Sequence, residues 1–179
     1  AKKHGKFTIA HAHSISWDMT LPGFAYKLYS HYIKKYADYF MGCSRQALEI
    51  RYGANIASDK LKACVLNNAI DAEKYIFNQA VRAEVRQELN LSQDDFVIGT
   101  VGRLIQVKNP FKIIEILCEL KELNIKFKFL WVGAGELKDE ILKEIKARNL
   151  DENVKMLGVR DDVNRILQAL DVFICPSFY

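Results

Sequence analysis

An arginine and a lysine five positions apart, Arg103 and Lys108, stand between an apolar run, Val97-Ile98-Gly99-Thr100-Val101-Gly102, and the Asn109-Pro110 pair that opens a long amphipathic segment. A run of apolar residues marks a buried parallel strand, and Pro suits the first helical turn. Ligands on open α/β sheets collect beyond the carboxyl ends of strands. Two cations there, one a planar fork and one a point charge, suit a phosphate or diphosphate. The structural alternative pairs Arg103 with a helix carboxylate and leaves Lys108 solvated. Gly133-Ala134-Gly135 follows a second apolar run. Its glycines admit a ligand to the backbone at a helix N-terminus, and a plain strand-to-helix turn reads equally well. Neither turn completes G-x-G-x-x-G, which disfavours a dinucleotide cofactor.

His11 and His13 are a second candidate pair. On an extended chain they share one side, where they could hold a metal, catalyse or bond to backbone. No third ligand lies nearby at a suitable spacing, so no metal is expected, and the residues alone favour structural histidines. The cysteines Cys43, Cys64, Cys118 and Cys175 form no close pair, which points to buried thiols in a reducing cytosol.

The elements that must position these groups follow from periodicity. Strands are expected at 7–10, 37–43 and 63–66, and helices at 24–36 and from Ser44, as cap, to Gly53. Residues 55–62 read as a polar connection. A charged helix over 78–90 turns Val81, Val85 and Leu89 to one face. Beyond Asp95, strands near 96–101, 127–132, 154–157 and 172–175 alternate with helices near 110–123, 137–148 and 161–169. That alternation predicts an α/β, Rossmann-like parallel sheet with right-handed crossovers and helices on both faces. The boundary between two lobes is expected at Asp71, giving 1–71 and 72–179.

The net charge of +4 is uneven. Residues 1–71 carry 10 Lys and Arg against 5 Asp and Glu, whereas 72–179 carry 16 against 17. A basic excess suits an acidic partner such as phospholipid head groups or nucleic acid, but at this size it is more often just a solvated face. The helix at 24–36, with Tyr26, Lys27, Tyr29, Lys34, Lys35 and Tyr36, could lie on a membrane; a tyrosine stripe at helical spacing more commonly faces a core. No apolar run is long enough for a membrane span. The chain begins at Ala1 and stops after an apolar run at Tyr179, so a fragment truncated at both ends is expected.

Five segments in order carry a family resemblance: Asn67-Asn68-Ala69-Ile70-Asp71; Val101-Gly102-Arg103-Leu104 with Lys108-Asn109; Val132-Gly133-Ala134-Gly135-Glu136-Leu137; Leu157-Gly158-Val159-Arg160-Asp161-Asp162-Val163; and Cys175-Pro176-Ser177-Phe178-Tyr179. Together they resemble glycosyltransferase family 4, and His11-Ala12-His13-Ser14 resembles the end of the acceptor lobe in members that assemble bacterial polysaccharides. The resemblance implies a GT-B architecture of two Rossmann-like lobes. It implies transfer, with retention, of a sugar from a nucleoside-diphosphate sugar to a glycan or lipid-linked acceptor, in capsule, exopolysaccharide or lipopolysaccharide synthesis. It implies no metal or other cofactor, no nucleic-acid partner, and a cytoplasmic location or the inner face of the membrane.

By the same resemblance, Arg103 and Lys108 hold the donor diphosphate and stabilise the leaving group, Gly102, Gly133 and Gly135 line the donor cleft, and Arg160 and Asp162 lie near the base. His13, ahead of His11, attends the transferred sugar. Family members continue past the position of Tyr179 with two carboxylates that grip the donor, so this piece alone is expected to be inactive. A nucleotide-sugar epimerase of the same architecture, and a non-catalytic nucleotide-binding or membrane-docking module, are the alternatives.

Overall fold

Three short strands, Ile9–Ala12 (β1), Tyr39–Gly42 (β2) and Ala63–Val65 (β3), pair in parallel in the order β1-β2-β3. In this computed structural model, which describes residues 5–13, 29 and 31–178, they belong to the first of two compact units, Ala1–Ile70 and Asp71–Tyr179. β1 pairs along its length with β2, from Ile9 opposite Tyr39 to Ala12 opposite Gly42, so the strand extends beyond Ala10 and includes His11. Helix Arg45–Tyr52 (α1) starts where expected, with the Ser44 hydroxyl accepting from the Ala47 N–H at 3.1 Å. It ends at Gly53, whose φ of 94° favours a residue without Cβ.

The polar connection expected at 55–62 instead begins with a short helix, Ala54–Ser58 (α2). Ile56 and Ala57 pack against the core of Phe40, Ala47, Leu48 and Tyr52, and those contacts outweigh a locally polar sequence. Residues 31–36 are helical. The remainder of the helix expected at 24–36, apart from residue 29, lies outside the described residues.

The second unit opens with a 3-10 turn, Ala72–Tyr75, and continues as Gln79–Glu88 (α3), Val97–Val101 (β4), a 3-10 turn Gln106–Lys108, Pro110–Glu122 (α4), Lys128–Val132 (β5), Lys138–Ala147 (α5), Val154–Gly158 (β6), Val163–Ala169 (α6) and Val172–Phe173 (β7). The sheet order is β6-β5-β4-β7, with every pairing parallel. β7 is shorter than the apolar run 172–175 suggested, because only Val172 and Phe173 meet β4 in register.

The central strands are apolar on both faces because both faces are covered. Ile98, Phe129 and Trp131 pack on Ile113, Ile114 and Leu117 of α4 and on Ile141 and Ile145 of α5. Val97, Leu130 and Val132 point the other way, onto Val85 of α3 and Ile166 and Ala169 of α6. Burial of each large side chain is worth about 1.5–3 kcal/mol, so both layers hold the strand ends in place.

Three helices stop by one device. Asn90, Asn124 and Asn149 adopt φ near 50–57°, a left-handed conformation that asparagine tolerates. The next residue then reaches back: Leu91 N–H to the Arg86 carbonyl at 2.8 Å, Ile125 to Leu120 at 3.0 Å, and Leu150 to Ile145 at 2.9 Å. These are Schellman closures, and buried Leu91 and Leu150 anchor two of them.

Candidate functional site

Strand β4 is where the chain changes direction through the sheet. From β4 it runs outward through α4, β5, α5 and β6, then returns by α6 to place β7 on the other side of β4. The crevice beyond the carboxyl ends of two such diverging strands is where open α/β sheets bind ligands. A small cleft, open to solvent, lies there, lined by Thr100–Leu104, Lys108, Pro110, Ile113, Trp131 and Cys175–Ser177.

Its walls are fastened by backbone. The Gly102 N–H donates to the Val132 carbonyl at 3.0 Å, and the Leu104 N–H to the Ala134 carbonyl at 3.0 Å, which lay the two strand-to-helix turns against each other. On the far side, the Ile174 N–H donates to Gly99 at 2.9 Å. The Phe178 N–H donates to Val107, inside the turn that carries Lys108, at 3.1 Å. Asn109, at φ 51°, redirects the chain into α4, where Pro110 occupies the first turn.

Arg103 and Lys108 are both exposed, and among the described residues neither side chain has a carboxylate partner or a hydrogen bond. On α4, Glu115 pairs with Lys112 at 2.9 Å. Two unpaired cations at the mouth of a pocket form an anion site in electrostatic character.

The other expected site residues occupy different places. Gly133 and Gly135 are absent from the pocket lining; they make the close approach of the two turns possible. A Cβ on Gly133, whose φ is 136°, would lie 1.9 Å from the Gly102 carbonyl oxygen, and one on Gly135 would lie 2.3 Å from that of Leu104. Arg160 and Asp162 follow β6 and bond each other in a fork, Nε to Oδ1 and Nη2 to Oδ2, both at 2.8 Å. Arg160 thereby holds the Asp162 carboxyl below the usual range, and Arg165 adds a contact at 3.4 Å. His11 and His13 are both exposed in the first unit, with ring centroids 4.1 Å apart. Among the described residues no group of three or more His, Cys, Asp or Glu could hold a metal ion, and no helix is long and apolar enough to cross a membrane.

Several contributors were not among the expected site residues. Thr100, Trp131 and Cys175 read as strand residues, yet they line the pocket. The Cys175 thiol is drawn below its ordinary range by the Ser177 hydroxyl, 3.5 Å away, against the opposing effect of burial, with smaller contributions from the Ser177 backbone and Lys108. On the charged helix expected over 78–90, the Arg86 side chain is fully buried. It donates to the carbonyls of Ala169, Ser92, Gln93 and Asp95 and to Asp171 at 2.9 Å. Asp171 also accepts from Arg82 and from the Val97 N–H. This knot holds the start of β7 beside β4, and so holds the pocket wall that β7 leads into.

A family profile described as glycosyl transferases group 1 matches residues 81–179. The UDP-Gal:alpha-D-GlcNAc-diphosphoundecaprenol alpha-1,3-galactosyltransferase of Escherichia coli is 34% identical over 126 residues, covering 68% of this chain and 32% of that protein. EpsF of Bacillus subtilis, described as a glycosyltransferase, is 28% identical over 178 residues, covering 96% of this chain and 45% of its own length. Among solved structures, HepE of Anabaena, crystallised with UDP and glucose, superimposes with a TM-score of 0.78 at 21% identity, over 98% of this chain and 48% of that one. The fold is thus the Rossmann-like parallel α/β fold of GT-B glycosyltransferase structures, and the chain spans less than half the length of each of these three proteins.

Proposed function

Because the chain belongs to the glycosyl transferases group 1 family, we propose that it is part of a sugar transferase and carries the diphosphate-binding portion of the donor site. The observation that carries this reading is the pair of unpaired cations, Arg103 and Lys108, at a pocket on the topological switch point between β4 and β7. As the bond from sugar to diphosphate breaks, negative charge grows on the leaving oxygen, and positive groups already fixed beside it stabilise the transition state more than the ground state.

In this reading residues 72–179 are the first half of the donor lobe and 1–71 the closing part of the acceptor lobe. The donor is a nucleoside-diphosphate sugar. The acceptor is a glycan or a lipid-linked glycan of a surface polysaccharide, for which the undecaprenol-linked acceptor in the name of the Escherichia coli relative gives support. Gly102 lets the diphosphate approach the backbone, and Gly133 and Gly135 keep that turn in place. Arg160 and Asp162 attend the base, and His13, ahead of His11, attends the transferred sugar. These roles, the assignment to family 4 and retention of configuration rest on the motif resemblance. The protein works in the cytoplasm at the inner membrane face, where the basic excess of the first unit meets anionic lipid; salt-dependent sedimentation with anionic vesicles tests that part. The 179-residue piece by itself is inactive, since the carboxylates that orient the donor in family members are not within it.

The experiment is substitution of Arg103 and of Lys108 by Ala in the intact protein that carries this chain. Each should lower the chemical step by about 3 kcal/mol, roughly a hundredfold, with an unchanged melting curve and a smaller loss of donor binding. Turnover within threefold of the parent for both variants would refute the assignment. Product analysis separates the alternative chemistry, because an epimerase converts the donor sugar without any acceptor.

A further inference from the structure

Thr100 and Trp131 face each other across β4 and β5 in direct register. The pleat turns both toward the layer of α4, where they line the pocket with Pro110 and Ile113. Thr100 is 7% exposed and Trp131 1%. Neither the Thr100 hydroxyl nor the Trp131 indole N–H makes a hydrogen bond among the described residues.

Buried polar groups in folded proteins are nearly always bonded, and each exception calls for a reason. Here, among the described residues, no sealed side-chain nitrogen or oxygen lacks a partner. The two unbonded groups therefore open onto the pocket they line. Valine and phenylalanine would fill these strand positions without leaving a polar group unbonded, so packing does not account for the residue types.

The chemistry of the missing partner follows from the donors. An indole N–H only donates, so whatever completes it must be an acceptor. The mouth of the same pocket carries Arg103 and Lys108, without counter-ions among the described residues, so that acceptor is anionic. We propose that Thr100 and Trp131 form the floor of the anion site, donating O–H and N–H to phosphate oxygens of the donor diphosphate while Arg103 and Lys108 neutralise its charge. The inference rests on the diphosphate reading of the pocket and adds two binding groups to it.

The test measures binding of inorganic pyrophosphate and of UDP to the intact protein, with uridine as the control that lacks phosphate. Thr100→Val and Trp131→Phe keep shape and remove only the donors. Each should weaken pyrophosphate and UDP by about tenfold, leave uridine unchanged and leave the melting curve in place. Thr100→Ser, which restores the hydroxyl, should bind as the parent does. If Thr100→Val does not fold, Thr100→Ala removes the hydroxyl without a new methyl group and carries the test. Pyrophosphate binding within twofold of the parent for both donor variants, while Arg103→Ala still weakens it, overturns this inference and leaves the diphosphate site standing. Parent-like binding by all three variants overturns both.

Discussion

Replacing Arg86 by Met should cost a large part of the stability of the second unit. The substitution fills most of the volume with a flexible apolar chain and removes every donor. Five acceptors lose their partner: the carbonyls of Ala169, Ser92, Gln93 and Asp95, at 2.8–3.1 Å, and the Asp171 carboxylate at 2.9 Å. Removing one partner of a buried ion pair costs about 3–5 kcal/mol. Asp171 keeps Arg82 and the Val97 N–H, which puts this ion pair at the low end. The carbonyls of Ser92, Gln93 and Asp95 lie in a surface turn and regain water, adding about 1 kcal/mol together. The Ala169 carbonyl is buried and stays unsatisfied, adding about 1 kcal/mol more, so the sum is about 5 kcal/mol, against a typical total of about 5–15, and corresponds to a fall in Tm of roughly 20 °C. Urea unfolding followed by far-UV circular dichroism would measure it, with Arg86→Lys as a control that keeps the charge but cannot reach five acceptors. A loss below about 1 kcal/mol for Arg86→Met would show that the knot does not hold β7, and the account of the pocket wall would fall with it.

Burial pushes the Asp171 carboxyl up, but the Val97 N–H, Arg82 and Arg86 outweigh it and hold the group below its ordinary range. A depressed carboxyl stabilises the fold at pH above its unfolded value of about 3.9, and that contribution is lost as pH falls through the folded value. The urea midpoint of the parent should therefore drop steeply below about pH 4, and Asp171→Asn should start lower and change less; equal slopes would refute the linkage. Cys175 should react with iodoacetamide near pH 7 faster than the other cysteines. Pyrophosphate and Lys108→Ala should each slow that reaction, whereas rates indifferent to both would separate the thiol from the anion site. Gly133→Ala should destabilise by at least about 3 kcal/mol, because it adds a left-handed backbone penalty to a clash with the Gly102 carbonyl. A melting point within 3 °C of the parent would contradict the close approach of the two turns.

The features written locally in the chain were legible from sequence. Strands β4, β5 and β6 and helices α3 to α6 lie within about two residues of the periodicity reading, because two-sided burial makes a strand uniformly apolar and one-sided burial gives a helix its stripe. The Ser44 cap and the Gly53 stop were legible for the same reason. The three stops at Asn90, Asn124 and Asn149 are also written locally, as Asn followed by Leu or Ile. The cations Arg103 and Lys108 could be placed at a strand end from their neighbours alone. What only the tertiary structure decided is which distant segments meet. Sheet order is set by pairing energies summed over the whole unit, so nothing local in Val172-Phe173 says that it lies beside β4 and makes a switch point there. The α2 helix formed against a polar local sequence because Ile56 and Ala57 found a core. Arg86 looks like any surface arginine until α6 and β7 close over it, and the demand on Gly133 arises from a carbonyl 31 positions earlier in the chain. Thr100 and Trp131 read as ordinary strand residues, and their donors acquire meaning only when register, helix packing and the return of β7 enclose the same pocket. A side chain's chemistry is local, but its environment is a sum over contacts remote in sequence, and the environment decides whether a polar group is satisfied, strained or left waiting for a ligand.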